Sequence, residues 1–211
     1  MVPFARQLNL SGTLSLDLLT VLDFDTPWLR TVSLSLLPHV AFLVLSPTCT
    51  VFSVLQKLWN FKRMPREVVA ARWARGMCYL EHSMQCAGKQ HLEGRFFVFE
   101  HPVNATSWNT DCVKSVRHMP GVKETIIDLC MLGLISAAHE LPMWKRTRLL
   151  TNSDAVVRTF KGFKCNRLHG HQIVEGVEGG IRRSVWAQVY PDAFARKLAS
   201  CASECCCQAL A

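Results

Sequence analysis

Acidic residues are scarce in this chain: 16 Asp and Glu stand against 24 Lys and Arg, for a formal net charge of +8. That balance suits a polyanionic partner, nucleic acid first and an anionic membrane surface second. Charge of either sign is limited to 19% of residues while 49% are hydrophobic, which excludes a disordered chain. No apolar run reaches the roughly 18 residues that a membrane span needs, because Pro38 and His39 interrupt the stretch 32–45. A membrane partner is therefore not expected. Residues 1–10 hold no apolar core behind a basic start, so no secretory leader is expected and an intracellular protein, nuclear or cytoplasmic, is. The sequon Asn104-Ala105-Thr106 then has no role. No internal repeat is present.

Cysteine, by contrast, is plentiful, with ten in 211 residues. The chain is too long and too rich in core for a disulfide scaffold, so reduced thiols are expected. Its length suits one domain with a sizeable core. Strands are expected over 13–16, 40–45, 95–99, 122–128 and 148–151, bounded by turn signals such as Pro120-Gly121. A long helix is expected over 65–90, with Pro65 near its start and Gly88 near its end. Shorter helices are expected over 107–118 and 191–202, and behind a Ser153 cap through Phe160. Residues 54–59 also have the composition of a helix start. Strands alternating with helices imply an α/β domain with a parallel sheet. The organisation expected is a lead over 1–12, the domain over 13–200, and a disordered Cys-rich tail over 201–211.

Candidate chemistry gathers at strand ends. Cys49 follows the apolar strand 40–45, and Glu100 follows the strand Arg95-Phe96-Phe97-Val98-Phe99. The carboxyl ends of strands are where open α/β sheets bind ligands. Arg146 and Arg148 stand at the start of a later strand. A thiol nucleophile, a carboxylate able to hold a proton on a ring nitrogen, and a guanidinium suit attack on an electron-poor heterocycle.

Several stretches, in order, resemble the cytosine carbon-5 DNA methyltransferases. Pro47-Thr48-Cys49-Thr50-Val51-Phe52-Ser53 is similar to their proline–cysteine loop, and Glu100-His101-Pro102 to their Glu-Asn-Val motif. Asp128 to Gly133 with Arg146-Thr147-Arg148 resembles the family's Arg-x-Arg region. Trp186-Ala187-Gln188-Val189-Tyr190-Pro191 resembles its last cofactor-side motif. The stretch Gly94-Arg95 through Ser107-Trp108 is closer still to divergent methyltransferase-like domains in open reading frames of mobile genetic elements. Leu150-Thr151-Asn152-Ser153, Cys165 and His169-Gly170-His171 fit that set as well.

The resemblance implies a Rossmann-like, S-adenosylmethionine-dependent domain acting on nucleic acid, DNA rather than RNA. Cys49 would add as thiolate to carbon 6 of a flipped or single-stranded cytosine, and Glu100 would hydrogen-bond or protonate ring N3. Arg146 and Arg148 would steady the substrate or the loop. The helix after Cys49 would lower its pKa. Asp17, Asp23, Phe24, Pro47 and Gln188 would line the cofactor site. The chain departs from the family at Thr48 in place of proline, Thr50 in place of glutamine and His101 in place of asparagine. The Gly-rich first strand and turn are missing, since Gly12 is isolated, and no large target-recognition region separates Leu149 from Trp186. The domain is thus expected to be an N-terminally incomplete relative. The other reading is a non-catalytic basic module, derived from a mobile element, that binds nucleic acid or serves as a scaffold.

Cys165, His169 and His171 are metal-ligand types at short spacing. A zinc site would need a fourth ligand such as Cys130 or Cys112; hydrogen-bonded loop histidines and no metal are expected instead. The six tryptophans are expected in the core or at interfaces, base stacking being the alternative where a ring lies exposed in a basic groove.

Overall fold

A computed structural model describes residues 7, 10, 23–54, 56–136 and 141–209. The strand expected over 13–16, and Asp17, lie outside the described residues. Helix α1 (Pro27–Leu36) leads into β1 (Phe42–Leu45). After a run of short turns comes α2 (Arg66–Leu92), then β2 (Phe96–Pro102). A 3-10 turn (Thr106–Asn109) and α3 (Asp111–Arg117) connect to β3 (Lys123–Asp128). A turn at Leu129–Leu132 precedes β4 (Arg146–Thr151), which is followed by α4 (Asp154–Phe160). A small hairpin, β5 (Val177–Glu178) and β6 (Ile181–Arg182), then precedes α5 (Arg183–Trp186) and α6 (Asp192–Ala209).

The fold is α/β with a four-stranded sheet in the order β1-β2-β4-β3. β1 pairs with β2 in parallel, but β4 is antiparallel to both of its neighbours. This corrects the expectation of an all-parallel sheet. A parallel return needs a crossover, usually a helix. The described part of the β3–β4 connection holds only a short turn, so β4 comes back antiparallel beside β3.

Period-two alternation along the strands feeds two cores. On one face Phe97, Phe99 and Leu150 pack with Leu80, Met84 and Ala87 of α2 and Val113 and Val116 of α3. On the other, Val98, Ile127 and Leu149 pack with Val156 and Phe160 of α4 and Phe194 and Leu198 of α6. Ser153 caps α4 by accepting a hydrogen bond from Val156 N. Helix α2 ends where Gly94, at φ +71°, turns the chain into β2.

Two further expectations are corrected. Residues 56–60 form a π-helical turn and Phe61–Arg63 a 3-10 turn, with Leu58 and Trp59 exposed, so no regular helix starts there. The Cys-rich segment is not a separate tail. It continues α6, and Cys201 and Cys205 enter the core one and two turns beyond Leu198. The residues 194, 198, 201 and 205 form one apolar stripe at helical spacing.

Candidate functional site

The Cys49 loop leaves the end of β1 and is held at three points. Val51 and Phe52 are buried in the core beneath α2. Thr106 Oγ1 donates to Phe52 O at 3.2 Å. His101 Nε2 lies 3.1 Å from Pro47 O, and its Nδ1 lies 2.6 Å from Ser107 Oγ. A carbonyl only accepts, so Nε2 carries the proton and Nδ1 accepts from the serine hydroxyl. Burial holds the His101 imidazole far below the ordinary range, down to about 4, although the Glu100 charge and the Pro47 carbonyl oppose that shift. It is a neutral brace.

Glu100, next to His101 on β2, points to the opposite face and is 5% exposed. Its Oε1 accepts from Thr147 Oγ1 at 3.2 Å and lies 3.8 Å from Lys145 Nζ. Its Oε2 accepts from the Tyr190 hydroxyl, which in turn accepts from Ser46 Oγ at 2.8 Å. Lys145 also donates to Ala187 O at 3.1 Å and stands 5.4 Å from the centre of the Tyr190 ring. Segment 187–190 therefore closes over the Cys49 loop. Burial, chiefly, raises the Tyr190 hydroxyl well above its usual range, with Glu100 adding to the effect.

Cys49 shares this environment. Burial pushes its thiol up, nearby Lys145 pulls it down, and Glu100 pushes it up again. The balance is upward, so the thiol is protonated at neutral pH. This corrects the expectation of a lowered thiol, since only a single 3-10 turn (Thr50–Phe52), not a helix, follows Cys49.

The structure brings Cys49 and Glu100 together but not the two arginines. Arg148 pairs in register with His101, on the face opposite Glu100. It lies 3.4 Å from Glu124 and over the Trp108 ring at 4.8 Å. Arg146 is paired with Asp128 at 3.5 Å. The cation at the site is Lys145. The period-two pattern carries the signal: Lys145 and Thr147 share one face and Arg146 and Arg148 the other. Tyr190, one of two tyrosines in the chain, was equally unmarked apart from its place in the 186–191 motif.

The cofactor candidates do not converge. Asp23 accepts from Tyr79 OH and from Arg75 Nη2 at 2.6 Å, and these bonds lower its carboxyl pKa. Phe24 stacks near the His82 ring at 5.3 Å. Both lie against α2. The depression beside them, about 300 Å³, is lined by residues such as Arg30, Cys78, Glu81 and His82 and includes neither Pro47 nor Gln188. Pro47 presents its carbonyl to His101, and Gln188 is exposed in the turn before Tyr190.

A second cluster lies behind β3. Cys130, Cys165, His169 and His171 bring one ligand atom each to within 4.8 Å of one another. Cys112, the other fourth-ligand candidate, instead lies beside Thr110 Oγ1 at 3.4 Å. Among the described residues, no helix is long and apolar enough to cross a membrane. Comparison with protein-family models, curated proteins and solved structures finds no match to this chain.

Proposed function

We propose that this chain is a cytosine-5 methyltransferase-like module that engages nucleic acid and takes an unstacked pyrimidine at the Cys49–Glu100 site. The observation that carries the reading is the meeting of Cys49, Glu100 and Lys145 at the carboxyl ends of the paired strands β1 and β2. The buried carboxylate is suited to accept from the amino group of cytosine and, on taking up a proton, to donate to N3, with Lys145 compensating its charge. Base entry would replace the Tyr190 hydroxyl on Glu100. Addition of the thiol forms the Sγ–C6 bond and breaks the C5–C6 π bond, and the thiol hydrogen ends on the ring. S-adenosylmethionine does not fit the residues described, because Asp23 is spent on Arg75 and Tyr79 and the depression beside it takes in neither Pro47 nor Gln188.

A basic face supports the nucleic-acid part. Lys57, Phe61, Arg66 and Trp73 line a depression of about 400 Å³, with Lys57 Nζ 4.8 Å from the centre of the Trp73 ring. Such a combination suits backbone phosphates and stacked bases. The test is incubation with a single-stranded oligonucleotide carrying 2-pyrimidinone, whose thiol adduct persists without a methyl donor. A covalent complex is expected with the wild type and not with Cys49→Ala. No adduct at any pH up to 10 would remove the base-site reading. Salt-dependent DNA binding that survives Cys49→Ala, without adduct, would support the rival basic scaffold. Calorimetry with S-adenosylmethionine should show no heat of binding.

A further inference from the structure

We infer that Cys130, Cys165, His169 and His171 form a structural zinc site that fastens the loop over residues 163–176 to the end of β3. This inference does not rest on the methyltransferase-like reading. Zinc bound by cysteine at about 2.3 Å and histidine at about 2.0–2.1 Å, in a tetrahedron, spaces sulfur and nitrogen by about 3.6 Å and the two sulfurs by about 3.8 Å. Cys165 Sγ lies 3.3 Å from His171 Nε2 and 3.7 Å from His169 Nε2, and all four ligand atoms fall within 4.8 Å of one another. The two sulfur–nitrogen separations at Cys165 match that tetrahedron to within about 0.3 Å, and the bound on the others leaves about 1 Å for the ligands to close on the metal. Two thiolates and two neutral imidazoles would balance Zn²⁺ exactly in charge, and an S₂N₂ set selects zinc over magnesium or calcium. With four protein ligands the site is closed, which makes it structural rather than catalytic.

The surroundings point the same way. The backbone N–H of Arg167 donates to Cys165 Sγ at 3.2 Å, a bond that stabilises a metal-bound thiolate. Arg167 makes this turn at φ +63°, and among the described residues no other non-glycine has positive φ. Asp128, 3% exposed, accepts from Cys165 N at 2.8 Å and from Trp144 Nε1 at 3.3 Å, tying the Cys165 loop and Trp144, whose ring lies 5.9 Å from that of His171, to the end of β3. The loop itself has almost no regular structure, with only an isolated bridge from Gln172 to Met143. Two thiols and two imidazoles gathered between such a loop and the turn after β3 are better explained by a metal than by loop hydrogen bonds alone. The next residue back from Cys130 connects the site to the other one: Leu129 N donates to Lys145 O at 3.0 Å.

The test begins with the wild-type chain. Protein purified without added metal is expected to carry about one zinc per chain by elemental analysis. After chelation its thermal midpoint should fall, and titration with Co²⁺ should give the intense visible bands of a tetrahedral site with thiolate-to-metal charge transfer. Cys130→Ser should roughly halve that charge-transfer band. His171→Ala should weaken Co²⁺ binding at least tenfold, whereas Cys112→Ala should leave it unchanged. A zinc-free protein that shows no cobalt spectrum would overturn the inference without recourse to any variant. So would peptide mapping of the non-reduced protein that finds a Cys130–Cys165 disulfide. Retention of wild-type affinity by both Cys130→Ala and His169→Ala would do the same.

Discussion

Replacing His101 by asparagine should remove a measurable share of the protein's pH dependence. The His101 ring is fully buried among Phe52, Phe99 and Trp108, with centroids 5.1 to 6.4 Å away. In the unfolded chain an imidazole titrates near 6.5, whereas burial depresses this one to about 4 in the folded protein. Between those values the unfolded state binds the extra proton, so stability is full above about pH 6.5 and is lost as pH falls toward 4. The limiting slope is about 1.4 kcal/mol per pH unit. Integrated from pH 7 to pH 5, the contribution lost is about 2 kcal/mol, and by pH 4 it approaches 3 kcal/mol. With an m-value of about 2 kcal/mol/M, the first figure moves the urea midpoint by roughly 1 M. His101→Asn can still donate to Pro47 O but cannot titrate. The variant will be less stable at pH 7, having lost ring packing, yet its midpoint should fall about 1 M less between pH 7 and pH 5 than that of the wild type. Other titrating groups, including His82, whose pKa burial also lowers, act in both proteins and cancel in the difference. Equal pH slopes, or a His101 proton resonance titrating near 6.5, would refute the buried neutral brace.

Three other outcomes follow from particular contacts. Cys49 should alkylate far more slowly at pH 7 than exposed Cys207, with a midpoint above the ordinary thiol range that Glu100→Gln lowers and Lys145→Met raises; mass spectrometry of iodoacetamide-treated protein reads all three, and equal rates for Cys49 and Cys207 would contradict the buried thiol. A Cβ on Gly76 would overlap Val51 Cγ2 in the turn behind Cys49. Gly76→Ala should therefore destabilise by about 1 kcal/mol, overpacking of about 2 kcal/mol outweighing a gain in helix propensity of about 1. Adding Val51→Ala should relieve the overlap in a double-mutant cycle, and a stabilised single variant would show that the contact yields freely. Ending the chain after Ser200 removes buried Cys201 and Cys205 and should cost on the order of 3 kcal/mol, read as a lowered denaturant midpoint; an unchanged midpoint would mean that the end of α6 contributes nothing to the core.

Much of the local architecture is written in short stretches of this chain. The start of α2 follows from Pro65 and that of α4 from the Ser153 cap, and the aromatic run 96–99 marks most of β2, although α2 runs past Gly88 to Leu92 and β2 continues through Glu100 to Pro102. These signals act over a few residues, so sequence alone suffices. It also placed Cys49 and Glu100 at the ends of neighbouring strands. The remainder depended on distant packing. Insertion of β4 antiparallel between β2 and β3 decides which face each of its side chains occupies, so that Lys145 meets Glu100 while Arg146 and Arg148 turn away. Tyr190 reaches Glu100 across 90 residues of chain, and Cys130 reaches Cys165 and the two histidines only because a turn after β3 faces the loop after α4. Local propensity carries no information about such pairings; they are set when the two apolar faces of the sheet find their helices and the polar groups at its edges are left together.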